Sequence, residues 1–397
     1  MKGVLLFIGV ILLFAVEILR VYLIMPFPGS QHNNTISLAY WLGKNIYWIR
    51  IVGLIMAAVP VIRIINEGRL RTRIILAVTT LLYVTIFFFI NFHFEADKMF
   101  YQPKHKVFAR VHSDTTKRSK LVIGVALNDE AKAYPVELIG YHHQVRDTIG
   151  NTPVMITYCT VCRTGRVFSP FVNGKAETFR LVGMDHFNAM FEDAGTKSWW
   201  QQATGLAVAG PLKGSALKEI PSTQLPLSAW IRNYPQSLVM QPDTLFKKDY
   251  SDLAGYDKGT INSDLEKRDS LSWKNKSWVI GVLNGSDAKA YDWNDLSEKR
   301  IIQDSLRGMP VLLLMENDSV SFHVYKREAD GKTLEFEEID NDQLIKDKQT
   351  GSVWNVDGVC IQGSLAGTRL QRIPSYNEFW HSWRTFHPLT TKYVKRI

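Results

Sequence analysis

Val122-Ile-Gly-Val125 and, shortly after it, Ala131-Lys-Ala-Tyr134 return as Val279-Ile-Gly-Val282 and Ala288-Lys-Ala-Tyr291, both at an offset of 157. Carried without a gap from Val122 to Phe179, that offset gives 15 identities in 58 positions, among them Asp147/Asp304, Pro153/Pro310 and Gly174/Gly331. After a slip of four residues, Gly205–Pro235 falls on Gly358–Pro388, with Gly210/Gly363, Gly214/Gly367, Ile220-Pro-Ser222/Ile373-Pro-Ser375 and Trp230/Trp383 in register. Self-similarity at a fixed spacing is the mark of a copied structural unit. The reading is one soluble repeat over 97–240, a polar linker over 241–270, and a second repeat over 271–397.

Within each copy the pattern is mostly strand. Lys120–Leu127 and Trp278–Leu283 are rich in Val and Ile, and Pro153–Tyr158 and Pro310–Met315 are short buried-type runs. Asn173-Gly174 between Arg166–Val172 and Ala176–Val182 has hairpin chemistry. A short helix is expected in Glu130–Ile139 and another from Pro221-Ser222 through Trp230 to Tyr234, where Pro235 stops it. The soluble region is thus a β-rich α+β fold rather than a doubly wound nucleotide fold.

Upstream lie three apolar spans, roughly Val4–Met25, Tyr47–Ile65 and Ile74–Phe92, each near the ~20 residues of a bilayer-spanning helix. Residues 1–96 therefore read as a three-helix membrane anchor. No small-residue cleavage site follows the first span, which sets it apart from a removed signal peptide. Glu17 and Arg20, three apart in that span, are expected to neutralise one another, with no function assigned. The connection Pro26–Tyr40 has no formal charge, whereas the next one carries Arg63, Arg69, Arg71 and Arg73 against Glu67. The positive-inside rule makes the second connection and the N-terminus cytoplasmic. The soluble region is then extracytoplasmic, on a multi-pass protein of the plasma (inner) membrane whose first expected partner is the lipid bilayer. The same arithmetic disposes of the net charge of +9: residues 1–96 hold +5 of it. A nucleic-acid partner is not favoured.

The two copies part at the sulfur residues. Tyr158-Cys159-Thr160-Val161-Cys162-Arg163 faces Met315-Glu316-Asn317-Asp318-Ser319-Val320, and His142-His143 faces Lys299-Arg300. A residue kept in both copies is most simply structural, so the Ala-Lys-Ala-Tyr runs read as packing devices. A reactive residue in one copy alone is a site candidate. The Cys159-x-x-Cys162 pair has three readings. It is a redox couple, its thiolate favoured by Arg163; a soft-metal knuckle for copper or zinc completed by His142, His143 or His186; or a structural disulfide. Against a thioredoxin-like motif, the pair runs into Gly165 and a strand, not a helix. Trp199-Trp200 reads as a packing anchor because Trp354 answers Trp200, and Cys360, opposite Ala207, as a small buried residue. No P-loop, Gly-x-Gly-x-x-Gly, His-Glu-x-x-His or Gly-x-Ser-x-Gly is present.

The order Val122-Ile-Gly-Val125, Ala131-Lys-Ala-Tyr-Pro135, Asp147-Thr-Ile-Gly150, Thr157-Tyr-Cys-Thr-Val-Cys162, Thr196-Lys-Ser-Trp199 and Gly210-Pro-Leu-Lys-Gly214 resembles an uncharacterised prokaryotic domain-of-unknown-function family, number 3179. Its hallmark is a strand ending in Thr-Tyr-Cys-Pro-x-Cys. The resemblance covers most of 105–397. This chain lacks the proline after Cys159 and has Tyr141-His142-His143 where many members carry an aromatic, a histidine and an acid. The resemblance implies one shared fold and no established reaction. By carry-over it makes Cys159, Cys162 and one of His142/His143 the leading site residues, with Tyr158 and Arg163 in support. The expected function is metal binding or thiol redox at that pair; the alternative is a non-enzymatic envelope protein stapled by a disulfide.

Overall fold

A computed structural model describes residues 2–339 and 343–394. The chain divides into two compact units, 1–101 with 170–217, and 102–169 with 218–397.

In the first unit three helices, α1 (Lys2–Tyr22), α2 (Ile36–Glu67) and α3 (Leu70–Phe92), are long and apolar enough to cross a membrane, with mean hydropathies of 2.7, 2.1 and 2.3. None of the α3 residues is buried. In water such an apolar surface would cost about 25 cal/mol for each Å², so lipid is the solvent it suits. α2 starts well before the expected Tyr47. Ile36, Ala39, Leu42 and Ile46 form a helical stripe that packs with Val16 and Leu23 of α1 and with Val182, Met190 and Trp199. On the other side only Gly68 and Arg69 separate α2 from α3, so Arg63 ends up inside α2 and Arg71 and Arg73 inside α3.

Glu17 and Arg20 do not pair with each other. The Glu17 carboxylate, fully buried, takes both Arg50 Nε (2.6 Å) and Nη2 (2.8 Å) from α2, while Arg20 donates to Glu95 Oε1 and to Asn91 Oδ1, each at 2.6 Å. A two-pronged guanidinium–carboxylate contact from a neighbouring helix satisfies a buried charge better than a single contact along one helix. Asn91 joins the two pairs, donating to Glu17 (3.1 Å) and accepting from Arg50 (2.8 Å). The rest of this unit is chiefly an antiparallel sheet in the order 207–209, 199–201, 188–193, 179–185.

The second unit opens on a five-stranded sheet in the order 107–110, 238–241, 130–135, 121–127, 223–226. Ala131-Lys-Ala-Tyr134 is strand here, and the helix begins only at Val136 and runs to His142. The cause is the turn: Asn128 (φ +47°) and Asp129 (φ +64°) both adopt the left-handed conformation of a tight two-residue hairpin, which sets Leu127 opposite Glu130. The lysine and tyrosine of the motif then reach one carboxylate, Lys132 Nζ and Tyr134 Oη lying 3.1 and 2.7 Å from Asp147 Oδ2. Antiparallel strands 144–149, 152–159 and 164–168 follow.

Later in the chain, strands 278–284 and 287–292 precede a helix 293–299 and strands 301–306, 309–315 and 322–326. There Tyr291 Oη donates to Asp304 Oδ2 at 3.0 Å and Lys289 pairs with the same carboxylate. Residues 241–270, expected as linker, hold short helical turns and the buried Phe246, Tyr250 and Tyr256. These rings lie against Tyr141, His142 and Tyr158.

Candidate functional site

Cys159 ends the strand 152–159, Thr164 begins the next, and the two are paired across the ladder, so Thr160–Arg163 form the turn of a hairpin. Arg163 N–H donates to Thr160 O (3.3 Å) and Arg163 takes the left-handed conformation (φ +56°). Both cysteines are wholly buried. The 241–276 stretch covers the turn: Tyr256 Oη donates to Thr160 O (2.9 Å), Glu266 bonds Thr160 Oγ1, and Lys276 Nζ donates to Val161 O (2.7 Å). From the chain's last part, Phe379 N–H donates to Cys162 O (3.0 Å), and His381 Nε2 lies 3.1 Å from Val161 O.

The expected electrostatic partner of the thiols, Arg163, points elsewhere. Its Nε donates to Asn377 Oδ1 (2.6 Å) and its guanidinium lies 3.8 Å over the Trp278 ring. The cation that acts on Cys162 is Lys276. Burial pushes the Cys162 thiol well up and a hydrogen bond with Cys159 adds to this, while Ser382 and Lys276 oppose it. Burial also lowers the Lys276 ammonium, against the pull of the two cysteines and Glu266. A thiol pushed up beside an amine pushed down can exchange one proton without changing the net buried charge. His381 is held neutral, taken down to about 3 by burial and by Lys276. Beyond Cys162 a chain of polar contacts continues: Ser382 Oγ donates to Glu378 Oε2 (3.0 Å), and Glu378 pairs with Arg166, whose guanidinium lies 3.5 Å over the Tyr376 ring.

The expected histidines take other places. His142 Nε2 lies 2.7 Å from Tyr250 Oη, and its ring packs against Tyr141 and Phe246. His143 Nδ1 lies 3.1 Å from Tyr141 O, and burial lowers its pKa. His186, in the other unit, is 2.5 Å from Asp185 Oδ1, and that bond raises its pKa. Among the described residues no three His, Cys, Asp or Glu side chains gather as a metal site would require. Cys360 is buried in a core cluster with Trp354, the small residue its sequence position suggests.

Lys276, Glu378, His381 and Ser382 lie outside the segment that carries the cysteines, and their sequence signal is a mismatch in the later part of the chain. At the sequence offsets of 157 and 153 they face Ser119, Leu225, Ser228 and Ala229, none of them equivalent in chemistry.

In the sequence self-alignment at an offset of 157, Cys159 falls on Glu316, a residue of different chemistry. Its side chain, 5% exposed, accepts from Arg232 Nη2 (2.6 Å) and lies 2.7 Å from His323 Nε2. His323 lines a cavity of about 500 Å³ together with Tyr376, Glu219, Trp230 and Arg372, and among the described residues its Nδ1 has no hydrogen-bond partner. Arg166 contacts two of these lining residues, its guanidinium 3.5 Å over the Tyr376 ring and its Nε 3.7 Å from Glu219.

A family model described as a protein of unknown function (DUF3179) matches residues 103–390. Comparison with curated proteins and with solved structures gives no match.

Proposed function

The chain belongs to this family of unknown function, and we propose that it is a membrane-anchored thiol redox protein working through Cys159 and Cys162. The observation that carries the reading is the contact of the two buried cysteine side chains with one another, within the electrostatic reach of the Lys276 amine. In the proposed cycle Cys162 gives its proton to Lys276 and attacks a disulfide of a partner. The partner's outer sulfur leaves as a thiol. Cys159, losing its own proton, then attacks Cys162 Sγ in the mixed disulfide and releases the second partner thiol. Two thiols of this chain become one disulfide, and the partner's disulfide takes up the two electrons and two protons. Burial of both sulfurs requires the 241–276 cover to lift before a partner can reach them.

Three further parts belong to this reading. α1–α3 span the bilayer, the Gly68-Arg69 turn with the arginine-bearing helix ends on either side of it is cytoplasmic, and the family region is extracytoplasmic, where disulfide chemistry is at home. The soluble region is built from two copies of one unit. Its support is recurrence of detail beyond sequence: Trp200 Nε1 donates to Asp193 and Trp354 Nε1 to Asp347, each at 2.9 Å. Likewise Gly124 lies under Trp230 and Gly281 under Trp383, where an added Cβ would come within 2.2 and 2.1 Å of the ring. The first copy thus keeps the thiols, while at the matching place in the second Glu316 binds His323 of its own copy and Arg232 of the first.

The test is a titration of the full-length protein in glutathione buffers with trapping by a maleimide reagent. Both thiols are expected to disappear together at one potential, and Cys159→Ser or Cys162→Ser to abolish that transition. A disulfide that persists throughout would favour the structural role. A stoichiometric copper(I) that blocks both thiols without any redox transition would favour the metal.

A further inference from the structure

We propose that the first unit holds an anionic phospholipid, its phosphate on Lys44 and Lys197 and its chains against α1 and α2; the proposal rests on the reading of α1–α3 as membrane spans. A cavity of about 440 Å³ lies at the end of the helices from which the rest of the unit continues, its walls including Val21 and Ile24, Ala39 and Tyr40 of α2, Phe94 and Trp199. Trp41, Tyr47 and Trp48, exposed on α2 close by, are the aromatic residues that mark a membrane–water interface. An apolar cavity at that level meets acyl chains as well as headgroups.

Its charges are unbalanced. Arg20 is neutralised by Glu95 at 2.6 Å, and Arg180 by Glu192 at 2.9 Å. Lys44 and Lys197 also line the cavity, and among the described residues neither is in an ion pair. Two ammonium groups are therefore left for an anion. Tyr40 and Trp199, packed edge to face with centroids 5.1 Å apart, and the Trp199 indole N–H on Glu192 Oε2 (2.9 Å) hold the wall in place.

The backbone at Lys197 points the same way. Asp193 accepts from Thr196 N–H (2.5 Å) and Ser198 N–H (3.1 Å), which forces the residue between them into the left-handed region, φ +61°. The turn tied by Asp347 is built alike, with Thr350 N–H on Asp347 at 2.6 Å, and there the left-handed position is filled by Gly351, φ +71°. Glycine is the unstrained choice for that conformation. A lysine kept in its place, on the rim of a cavity with unbalanced charge, fits a side chain retained for binding.

The full-length protein in non-ionic detergent, mixed with equal phosphatidylglycerol and phosphatidylcholine and read by native mass spectrometry, tests this. Phosphatidylglycerol should be retained preferentially, and Lys44→Ala and Lys197→Gly should each weaken its retention about fivefold. Lys197→Gly removes the charge while relieving the backbone, so its Tm should not fall. Gly43→Leu grows into open space on the cavity wall and should displace the lipid with both charges intact. Equal retention of the two lipids, or retention unmoved by the lysine variants, would overturn the proposal. Displacement by equimolar inorganic phosphate would reassign the site to a soluble anion and overturn the lipid. Extraction of the protein from membranes by alkaline carbonate would instead sink the spanning reading; a protein that stays in the membrane yet shows no lipid preference fails the cavity alone.

Discussion

Glu316→Gln isolates the energetic contribution of a buried carboxylate paired with Arg232 and His323. Burial alone would raise the Glu316 carboxyl, but the hydrogen bonds from His323 and Arg232 reverse that and hold it at about 2. Against an ordinary glutamate near 4.3, and at about 1.4 kcal/mol for each unit, this corresponds to about 3 kcal/mol of stability at neutral pH. Arg232 is 43% exposed on its side chain and can rehydrate when its partner is lost, which discounts the figure to about 2 kcal/mol. The folded-state pKa is the depressed one, so the stability is present above the ordinary carboxylate range and is lost as pH falls toward 2. Thermal unfolding of the full-length protein in detergent, followed by tryptophan fluorescence, should place the variant about 5 °C below the wild type at pH 7. The gap should narrow through pH 4 and 3 and close near pH 2. Equal melting temperatures at pH 7, or a gap indifferent to pH, would refute the assignment of a buried, ionised Glu316.

Gly281→Ala drives a Cβ to within 2.1 Å of the Trp383 ring and should cost about 1–3 kcal/mol, read as a lowered Tm; an unchanged Tm would contradict the packing. In a Cys159→Ser background, Lys276→Met removes the cation that lowers the Cys162 thiol pKa and should slow alkylation of Cys162 at pH 8 about tenfold; an equal or faster rate would remove Lys276 from the site. A reporter fused after Ile397 should be active outside the cytoplasm, and activity inside it would reverse the charge-based topology.

The apolar spans and the strands were legible because each rests on a local pattern. Composition alone marks α3, and the strands 122–125 and 279–282 announce themselves twice. The hairpin carrying Cys159 and Cys162 was legible for the same reason. Boundaries set by tertiary contacts were not. The start of α2 at Ile36 depends on a stripe that pays off only when Val182 and Trp199 are there to receive it, and the strand in Ala131-Lys-Ala-Tyr134 depends on two left-handed residues before it. The thiols' surroundings lay furthest out of reach, since Lys276, Glu378 and His381 join them from more than a hundred residues along the chain. His142 and His143 were drawn toward the cysteines by their shared absence from the second copy. Their observed partners include Tyr250 and the carbonyl of Tyr141, and Tyr250 sits in a stretch whose irregular spacing of Phe246, Tyr250 and Tyr256 gave no periodic signal.

Electron exchange by Cys159 and Cys162 as a pair can be followed in the membranes of living cells. Cells expressing the full-length protein are acid-quenched before, during and after a brief pulse of a membrane-permeant reductant, and the two thiols are counted by the mass added by an alkylating reagent. Both thiols should appear during the pulse and both should vanish as the reductant is withdrawn, with neither change in Cys159→Ser. With Cys360 adding one throughout, a count that stays fixed through the pulse, whether at one or at three, would contradict it.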